Sequence, residues 1–210
     1  MDLTLLHFFN DNHTPFMDTV MTIATDGLTW IPLYIFLLVL VFRTDADAKM
    51  QSQDESTGQS GSIAYHKARK VNSRLLIVIC ALMTVAVTAG VDELIVKPLV
   101  CRLRPTHDPV VMHTVNIVND IRGNGYSFFS AHAANTSGIA LFLSLAMHRR
   151  WLTVCLVLWS LLNCYSRLYL GVHYPSDVLT GIAFGTATAM IVYTFVYKVC
   201  SANSVSRHAL

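Results

Sequence analysis

The residues best suited to chemistry in this chain of 210 residues lie in one short stretch between two apolar runs. Arg167, His173 and Asp177 place a cation, an imidazole and a carboxylate beside segments where charge is costly and usually functional. Pro175 suits the first position of a helix, so Asp177 would lie in the first turn and reach back toward His173. A carboxylate that orients an imidazole is half of a design for a nucleophile, and an arginine fork suits phosphate. The structural alternative is a helix cap, an interfacial histidine and a snorkelling arginine.

Two upstream groups of residues fit the same chemistry. Lys97 and Arg104-Pro105 are separated by six residues, and Ser130-Ala131-His132 opens a later apolar run. Together with the stretch Ser166–Asp177 they read K-x6-R-P, S-x-H and S-R-x5-H-x3-D. This pattern resembles the type 2 phosphatidic acid phosphatase superfamily, whose members are mostly membrane lipid phosphatases and which includes soluble vanadium haloperoxidases and bacterial acid phosphatases.

The middle group departs from the P-S-G-H that is usual in that family. Phe129 stands in place of the proline, and Ala131 in place of the glycine. The first change alters the entry to a helix, and the second keeps the backbone N–H but adds a methyl group. Neither change removes a reactive group.

The resemblance implies a role for each group. His173 is the expected nucleophile, which attacks phosphorus to give a phosphohistidine, and Asp177 orients it. His132 is the expected general acid for the leaving oxygen and a candidate base for water in the second step. Ser166 is expected either to pack or to support the reactive side chains. The phosphate oxygens would be bound by three cations, a hydroxyl and a backbone N–H at a helix start: Lys97, Arg104, Arg167, Ser130 and Ala131.

The sequence gives no pattern for a metal site, so we expect no metal and no other cofactor. His107, Asp108 and His113 lie near one another in a loop, where solvent exposure or contact with a substrate headgroup is favoured over a metal. The five cysteines form no metal pattern either. Asp92 and Glu93 either tune Lys97 or cap the helix before it.

Membrane helices are the elements that must position these residues. The chain is 53% hydrophobic and 13% charged, about half the usual charged share, and its net charge of +2 is too small to suggest a nucleic-acid partner. Several apolar runs approach the ~20 residues that cross a bilayer. We predict an all-α integral membrane protein, a single domain with about five transmembrane helices after interfacial helices in residues 1–27. The expected spans are residues 28–42, 75–96, 130–147, 151–170 and 175–199.

Residues 43–74 form the expected linker. Its stretch Gln51–Ser62 has no apolar residue and should be mobile. It ends in a basic cluster that could bind anionic lipid, although an orientation signal on a solvated face is the favoured interpretation: Lys67, Arg69, Lys70 and Arg74.

The distribution of Lys and Arg predicts the orientation. With five spans, the linker side carries ten such residues and the motif side carries five: Lys97, Arg102, Arg104, Arg122 and Arg167. The positive-inside rule then places the linker in the cytoplasm and the motifs outside, which in a bacterium is the periplasm beyond the inner membrane. His132 lies 16 residues before His148, and Arg167 lies 17 after Arg150, so both stand ~25 Å from one turn and share one depth.

The predicted function is therefore a metal-independent membrane phosphatase that acts on a lipid phosphate or diphosphate at the outer face. By resemblance, the candidate substrates are undecaprenyl diphosphate, phosphatidylglycerol phosphate, phosphatidic acid and a lipid A phosphate, and both this choice and the oligomeric state stay open. An anion transporter or binding protein is the alternative, and it would not need His173 or Asp177. A vanadate-dependent oxidant is disfavoured by the compact hydrophobic chain.

Overall fold

The computed structural model of the protein describes residues 1–43 and 63–197, and these contain no strand. In chain order the helices are α1 (Asp2–Asn10), α2 (Pro15–Thr25), α3 (Ile31–Arg43), α4 (Ile63–Val91), α5 (Lys97–Val100), α6 (Ala131–Met147), α7 (Arg150–Tyr169) and α8 (Pro175–Ile191). A π-helical turn, Asp92–Val96, joins α4 to α5, and another, Val192–Tyr197, follows α8. The predicted all-α class is confirmed.

Three helical segments are long and apolar enough to cross a membrane: Arg74–Val100, Arg150–Tyr169 and Pro175–Tyr197. They match the second, fourth and fifth predicted spans. A fourth candidate is the pair Pro15–Thr25 and Gly27–Arg43, which is bent by 71° and contains the first predicted span. The third predicted span, α6, has 17 residues and is therefore ~25 Å long. The described residues thus give three spans, or four with the bent pair, and the predicted count of five is not confirmed.

The N-terminal helices α1 and α2 lie where interfacial helices were predicted. Phe8 and Phe16 are 68% and 75% exposed, and the Thr14 hydroxyl caps α2 by accepting the Met17 N–H. Helix α4 begins at Ile63, inside the predicted linker. The stretch Gln51–Ser62 and the side chains of Lys67, Arg69 and Lys70 lie outside the described residues.

Helix α6 lies at the centre of the bundle, where it packs against α4, α7 and α8. Most of its residues are buried, and its far end belongs to a hydrophobic core that includes Phe142, Leu156 and Trp159. A central helix can be shorter than a lipid-facing one, because neighbouring helices rather than lipid cover it.

Glycines bring α8 against α6. A Cβ added at Gly185 would lie 2.0 Å from the Ala134 carbonyl oxygen, and one at Gly181 would lie 2.6 Å from the Ser130 carbonyl oxygen. Gly138 of α6 has the reciprocal contact, since its Cβ would lie 3.1 Å from the Gly185 carbonyl oxygen. Small residues spaced in this way allow close backbone packing in membranes. The contact therefore holds the start of α6, at Ser130, near the start of α8.

Replacing Gly185 with alanine should push α6 and α8 apart and destabilise the protein by roughly 1–3 kcal/mol, as overpacking does in a dense core. Thermal unfolding in detergent measures the effect. Gly90→Ala is the matched control, because a Cβ there, near the end of α4, meets nothing within 4 Å. Equal melting temperatures for Gly185→Ala and the original protein would contradict the close contact.

Candidate active site

His173 lies buried in the turn between α7 and α8. Arg104 Nη1 is 2.8 Å from His173 Nε2 and also donates to the Val172 carbonyl oxygen at 3.0 Å. A guanidinium only donates, so Nε2 must be the acceptor and the neutral ring carries its proton on Nδ1. Burial, followed by the positive charges of Arg167 and Arg104, holds the pKa of His173 well below its ordinary value. The imidazole is therefore neutral at neutral pH, and its Nε2 lone pair accepts the hydrogen bond from Arg104.

Asp177 occupies the first turn of α8, which begins at Pro175 as predicted. Its Oδ2 accepts the N–H of Tyr174 at 2.9 Å, forms a hydrogen bond with the Ser127 hydroxyl, and lies 3.6 Å from His173 Nδ1. Its Oδ1 accepts from Arg102 Nη1 at 2.7 Å. The carboxylate thus faces the protonated nitrogen of His173 without a direct hydrogen bond, since Nδ1 has no hydrogen-bond partner among the described residues.

Lys97 is buried where α4 passes through the π-helical turn into α5. Its Nζ lies 3.0 Å from Asp92 Oδ2 and also pairs with Glu93. Asp92 and Glu93 therefore both contact Lys97, as their tuning role would require.

The loop at residues 123–124 holds the guanidinium of Arg104 in place. The Asn124 carbonyl oxygen accepts from its Nε at 3.1 Å and from its Nη2 at 2.9 Å. Gly123 has a φ of +70°, and a Cβ there would lie 3.0 Å from the guanidinium carbon. The glycine therefore permits both the turn and the close approach.

Arg167 is buried near the end of α7. Its Nη1 donates to the hydroxyl of Thr25 at 2.5 Å, and its Nε has no hydrogen-bond partner among the described residues. Thr25 is the last residue of α2, so the N-terminal region contacts Arg167, a residue predicted to bind phosphate.

The start of α6 completes the site. The Ser130 N–H donates to the Asp177 carbonyl oxygen at 3.1 Å, and the Ser130 hydroxyl caps α6 by accepting from the Ala133 N–H at 3.4 Å. Ala131 is the first residue of the helix, and His132 follows it. His132 and His173 both lie within electrostatic range of the same three cations, Lys97, Arg104 and Arg167. The structure thus brings all three groups of predicted residues together.

Sequence reasoning missed the residues that support this site. Arg102 was counted only as a charge, although it lies inside the first motif group and binds Asp177. Ser127 and Asn124 belong to a loop with no periodic pattern, and Thr25 is distant in sequence from Arg167. Only Arg102 carried a signal, because it is a cation two residues before Arg104 inside the first motif group.

The remaining polar candidates have local roles. Among the described residues, no three His, Cys, Asp or Glu side chains are grouped so that they could hold a metal ion. His107 Nδ1 lies 3.1 Å from the Thr106 hydroxyl, and Asp108 Oδ1 accepts the Val110 N–H at 2.9 Å. Ser166 donates to the Asn163 carbonyl oxygen at 2.8 Å within α7, as expected of a packing residue.

The chain is similar to several known proteins. The PAP2 superfamily model matches residues 74–200. Lipid A 4'-phosphatase from Bacteroides thetaiotaomicron is 32% identical over 203 residues, which cover 94% of this chain and 78% of that protein. The crystal structure of LpxE from Aquifex aeolicus aligns with a TM-score of 0.59 at 22% identity, over 91% of this chain and 93% of that one. A PAP2-type phosphatidylglycerolphosphate phosphatase from Bacillus subtilis aligns with a TM-score of 0.54 at 21% identity, over 94% and 85%.

Proposed function

Since the chain belongs to the PAP2 superfamily, we propose that its site hydrolyses a lipid phosphate or diphosphate through a phosphohistidine at His173. The chain is a membrane phosphatase of this family. The observation that carries the proposed mechanism is the neutral imidazole of His173, whose Nε2 is turned toward Arg104 and whose Nδ1 is turned toward Asp177. A nucleophile between an orienting carboxylate and a phosphate-binding cation is what in-line attack on phosphorus requires.

Substrate binding is assigned to the cations and to the start of α6. Lys97, Arg104 and Arg167 would contact the phosphate oxygens, with the Ser130 hydroxyl and the Ala131 N–H as further donors. Phosphoryl transfer spreads negative charge over these oxygens, so fixed cations stabilise the transition state. Arg104 would then both bind phosphate and contact the nucleophile, His173.

The reaction has two steps. When phosphate binds, Arg104 donates to its oxygens in place of His173 Nε2, and the Nε2 lone pair attacks phosphorus as the bond to the leaving oxygen breaks. His132, which takes up a proton once the negative charge of the phosphate offsets the surrounding cations, gives that proton to the leaving oxygen. The proton on His173 Nδ1 stays there, and Asp177 stabilises the positive charge that develops on the ring. His132, now neutral, accepts a proton from a water molecule, whose oxygen attacks the phosphohistidine and releases phosphate.

A lipid A phosphate is the first substrate to test, because the relative that aligns with nearly the whole chain is named for lipid A. The other candidates are phosphatidylglycerol phosphate, phosphatidic acid and undecaprenyl diphosphate. Phosphate release by the purified protein in detergent, with EDTA present, compares the four. Full loss of turnover in EDTA and its return with Mg²⁺ would contradict the cation-based site.

His173→Ala should abolish turnover, since no phosphoenzyme can form, whereas Asp177→Ala should keep a residual rate, reduced by roughly 10²–10⁴-fold as for orienting carboxylates in triads. Phosphate release and trapping of labelled phosphoenzyme measure both effects. His148→Asn is the matched control. His148 is exposed in the turn between α6 and α7 with a φ of +50°, which asparagine tolerates, so activity should not change. Near-normal turnover by His173→Ala would favour a protein that only binds or transports the anion.

His132→Ala should lose more activity on a lipid phosphomonoester than on an aryl phosphate, because a poor leaving group needs the proton most. His173→Ala should lose nearly everything on both substrates. The comparison holds when phosphoenzyme formation limits the rate, which burst kinetics reveal. Equal losses on both substrates by His132→Ala under that condition would indicate that His132 binds phosphate and donates no proton.

We further propose that the site faces the periplasm of a bacterial inner membrane. The ends of α7 and of the segment Arg74–Val100 meet the starts of α6 and α8 on one side, which carries fewer Lys and Arg residues. A tag inserted within Gln51–Ser62 should therefore react with reagents only from the cytoplasm. Labelling of that tag in intact cells by an impermeant reagent would reverse the orientation.

A further inference from the structure

The two oxygens of the Asp177 carboxylate have different neighbours. Oδ2 faces His173 and is held by the Tyr174 N–H and the Ser127 hydroxyl. Oδ1 is bound by Arg102 Nη1 at 2.7 Å. Asp177 is fully buried, and a buried carboxylate stays ionised only where hydrogen bonds and opposite charge compensate for the lost water. Because His173 is neutral, Arg102 is the cation that pairs with this carboxylate among the described residues.

Arg102 is itself fixed by groups around it. Its Nη2 donates to Asp2 Oδ2 at 2.7 Å, and its Nη1 also lies 2.7 Å from the Ser176 hydroxyl. Its guanidinium carbon lies 3.9 Å above the ring of Tyr174. A planar fork can reach two carboxylates at once and stack on a ring, and a lysine ammonium cannot reproduce that geometry.

Asp2 links this arrangement to α1. Its Oδ1 accepts the Ser176 N–H at 3.0 Å, and its Oδ2 accepts the Ser176 hydroxyl at 2.6 Å. The carboxylate therefore sits at the start of α8, where free N–H groups and the helix dipole favour a negative charge. Asp2 holds Arg102 from one side while Asp177 binds it from the other.

We propose that Arg102 is a positioning residue for the hydrolysis, which acts through Asp177, and that Asp2 keeps Arg102 in place. Arg102 fixes the carboxylate plane so that Oδ2 faces the Nδ1 proton of His173, and it compensates the buried charge. The inference rests on the proposed role of His173. Without Arg102, the carboxylate turns or takes up a proton, and the imidazole loses the group that orients it.

Steady-state kinetics give the first test. Arg102→Gln should lower kcat by roughly 10- to 100-fold, as loss of a group that orients a reacting side chain does, and should leave KM almost unchanged. Arg104→Gln, which removes a proposed phosphate ligand, should raise KM. Arg102→Lys should recover part of the rate, because it restores charge without the fork. Arg122→Gln is the matched control. The Arg122 side chain is half-exposed and forms an ion pair with exposed Asp120 in the same loop, so the change should leave both constants unchanged.

A double-mutant cycle gives the second test. If Arg102 acts through Asp177, adding Arg102→Gln to Asp177→Asn should change kcat by less than about twofold. Asp2→Asn should lower kcat less than Arg102→Gln does, and it should add nothing to the Arg102→Gln variant. Effects that multiply would overturn the inference, as would a raised KM with unchanged kcat in Arg102→Gln.

The outcomes separate this inference from the proposed function. If His173→Ala still forms a phosphoenzyme, the proposed function is wrong. If the effects of Arg102→Gln and Asp177→Asn multiply, only the role of Arg102 is wrong. Melting temperatures show whether each variant folds. If Arg102→Gln does not fold, Arg102→Lys replaces it in the cycle with Asp177→Asn, and the same criterion of less than about twofold applies.

Discussion

The site depends on the close approach of α6 and α8. Backbone atoms of the two helices come so near at Gly181 and Gly185 that any side chain there would enter the neighbouring helix. The approach brings the Ser130 N–H to the carbonyl oxygen of Asp177, so the second and third motif groups are joined by a backbone hydrogen bond. Hydrophobic burial cannot drive such contacts strongly in lipid, where close packing of small residues takes its place. The glycines of α8 are therefore as much a condition of the site as its reactive side chains.

Charge is distributed unevenly around His173. Among the described residues, Lys97 forms ion pairs with Asp92 and Glu93, and Arg102 forms ion pairs with Asp2 and Asp177. Arg104 and Arg167 instead donate to neutral acceptors: the carbonyl oxygens of Asn124 and Val172 and the hydroxyl of Thr25.

Neutral acceptors satisfy the hydrogen-bond donors of a guanidinium without neutralising its charge. The two arginines thus keep their attraction for an anion, and, after burial, their charges lower the pKa of His173. Burying such cations costs free energy, and a bound phosphate would offset that cost. Lys97 differs, since its charge is paired with two carboxylates.

Much of this site could be predicted from the sequence, because helix geometry fixes the relative depth of His132 and Arg167 on either side of one turn. The helix start at Pro175 and the backward reach of Asp177 followed from local rules as well. The loop contacts could not be predicted. Gly123 and Asn124 contact Arg104 across a loop of about twenty residues. The loop sequence has no periodic pattern from which that contact could be predicted.

The number of spans was harder to predict, for a physical reason. Hydropathy measures how apolar a segment is, but it does not distinguish lipid contact from burial between helices. Helix α6 is apolar, and α4, α7 and α8 surround it. Because those helices cover it, its 17 residues need not match the thickness of the bilayer. The run 28–42 is similarly apolar, yet it forms one limb of a bent pair with α2.

The N-terminal helices do more than lie at a membrane surface. Asn10 donates to the Tyr169 carbonyl oxygen at 2.7 Å, and its amide lies 3.1 Å from where a Cβ of Gly171 would stand, at the turn that leads to His173. Asp2 and Thr25 bind Arg102 and Arg167. The family match begins at residue 74, so these three contacts come from outside it. Their partners are Tyr169, Arg102 and Arg167, each of which lies within a motif group. The first 25 residues therefore contact the proposed site directly, and side chains of the first and third motif groups are held partly by them.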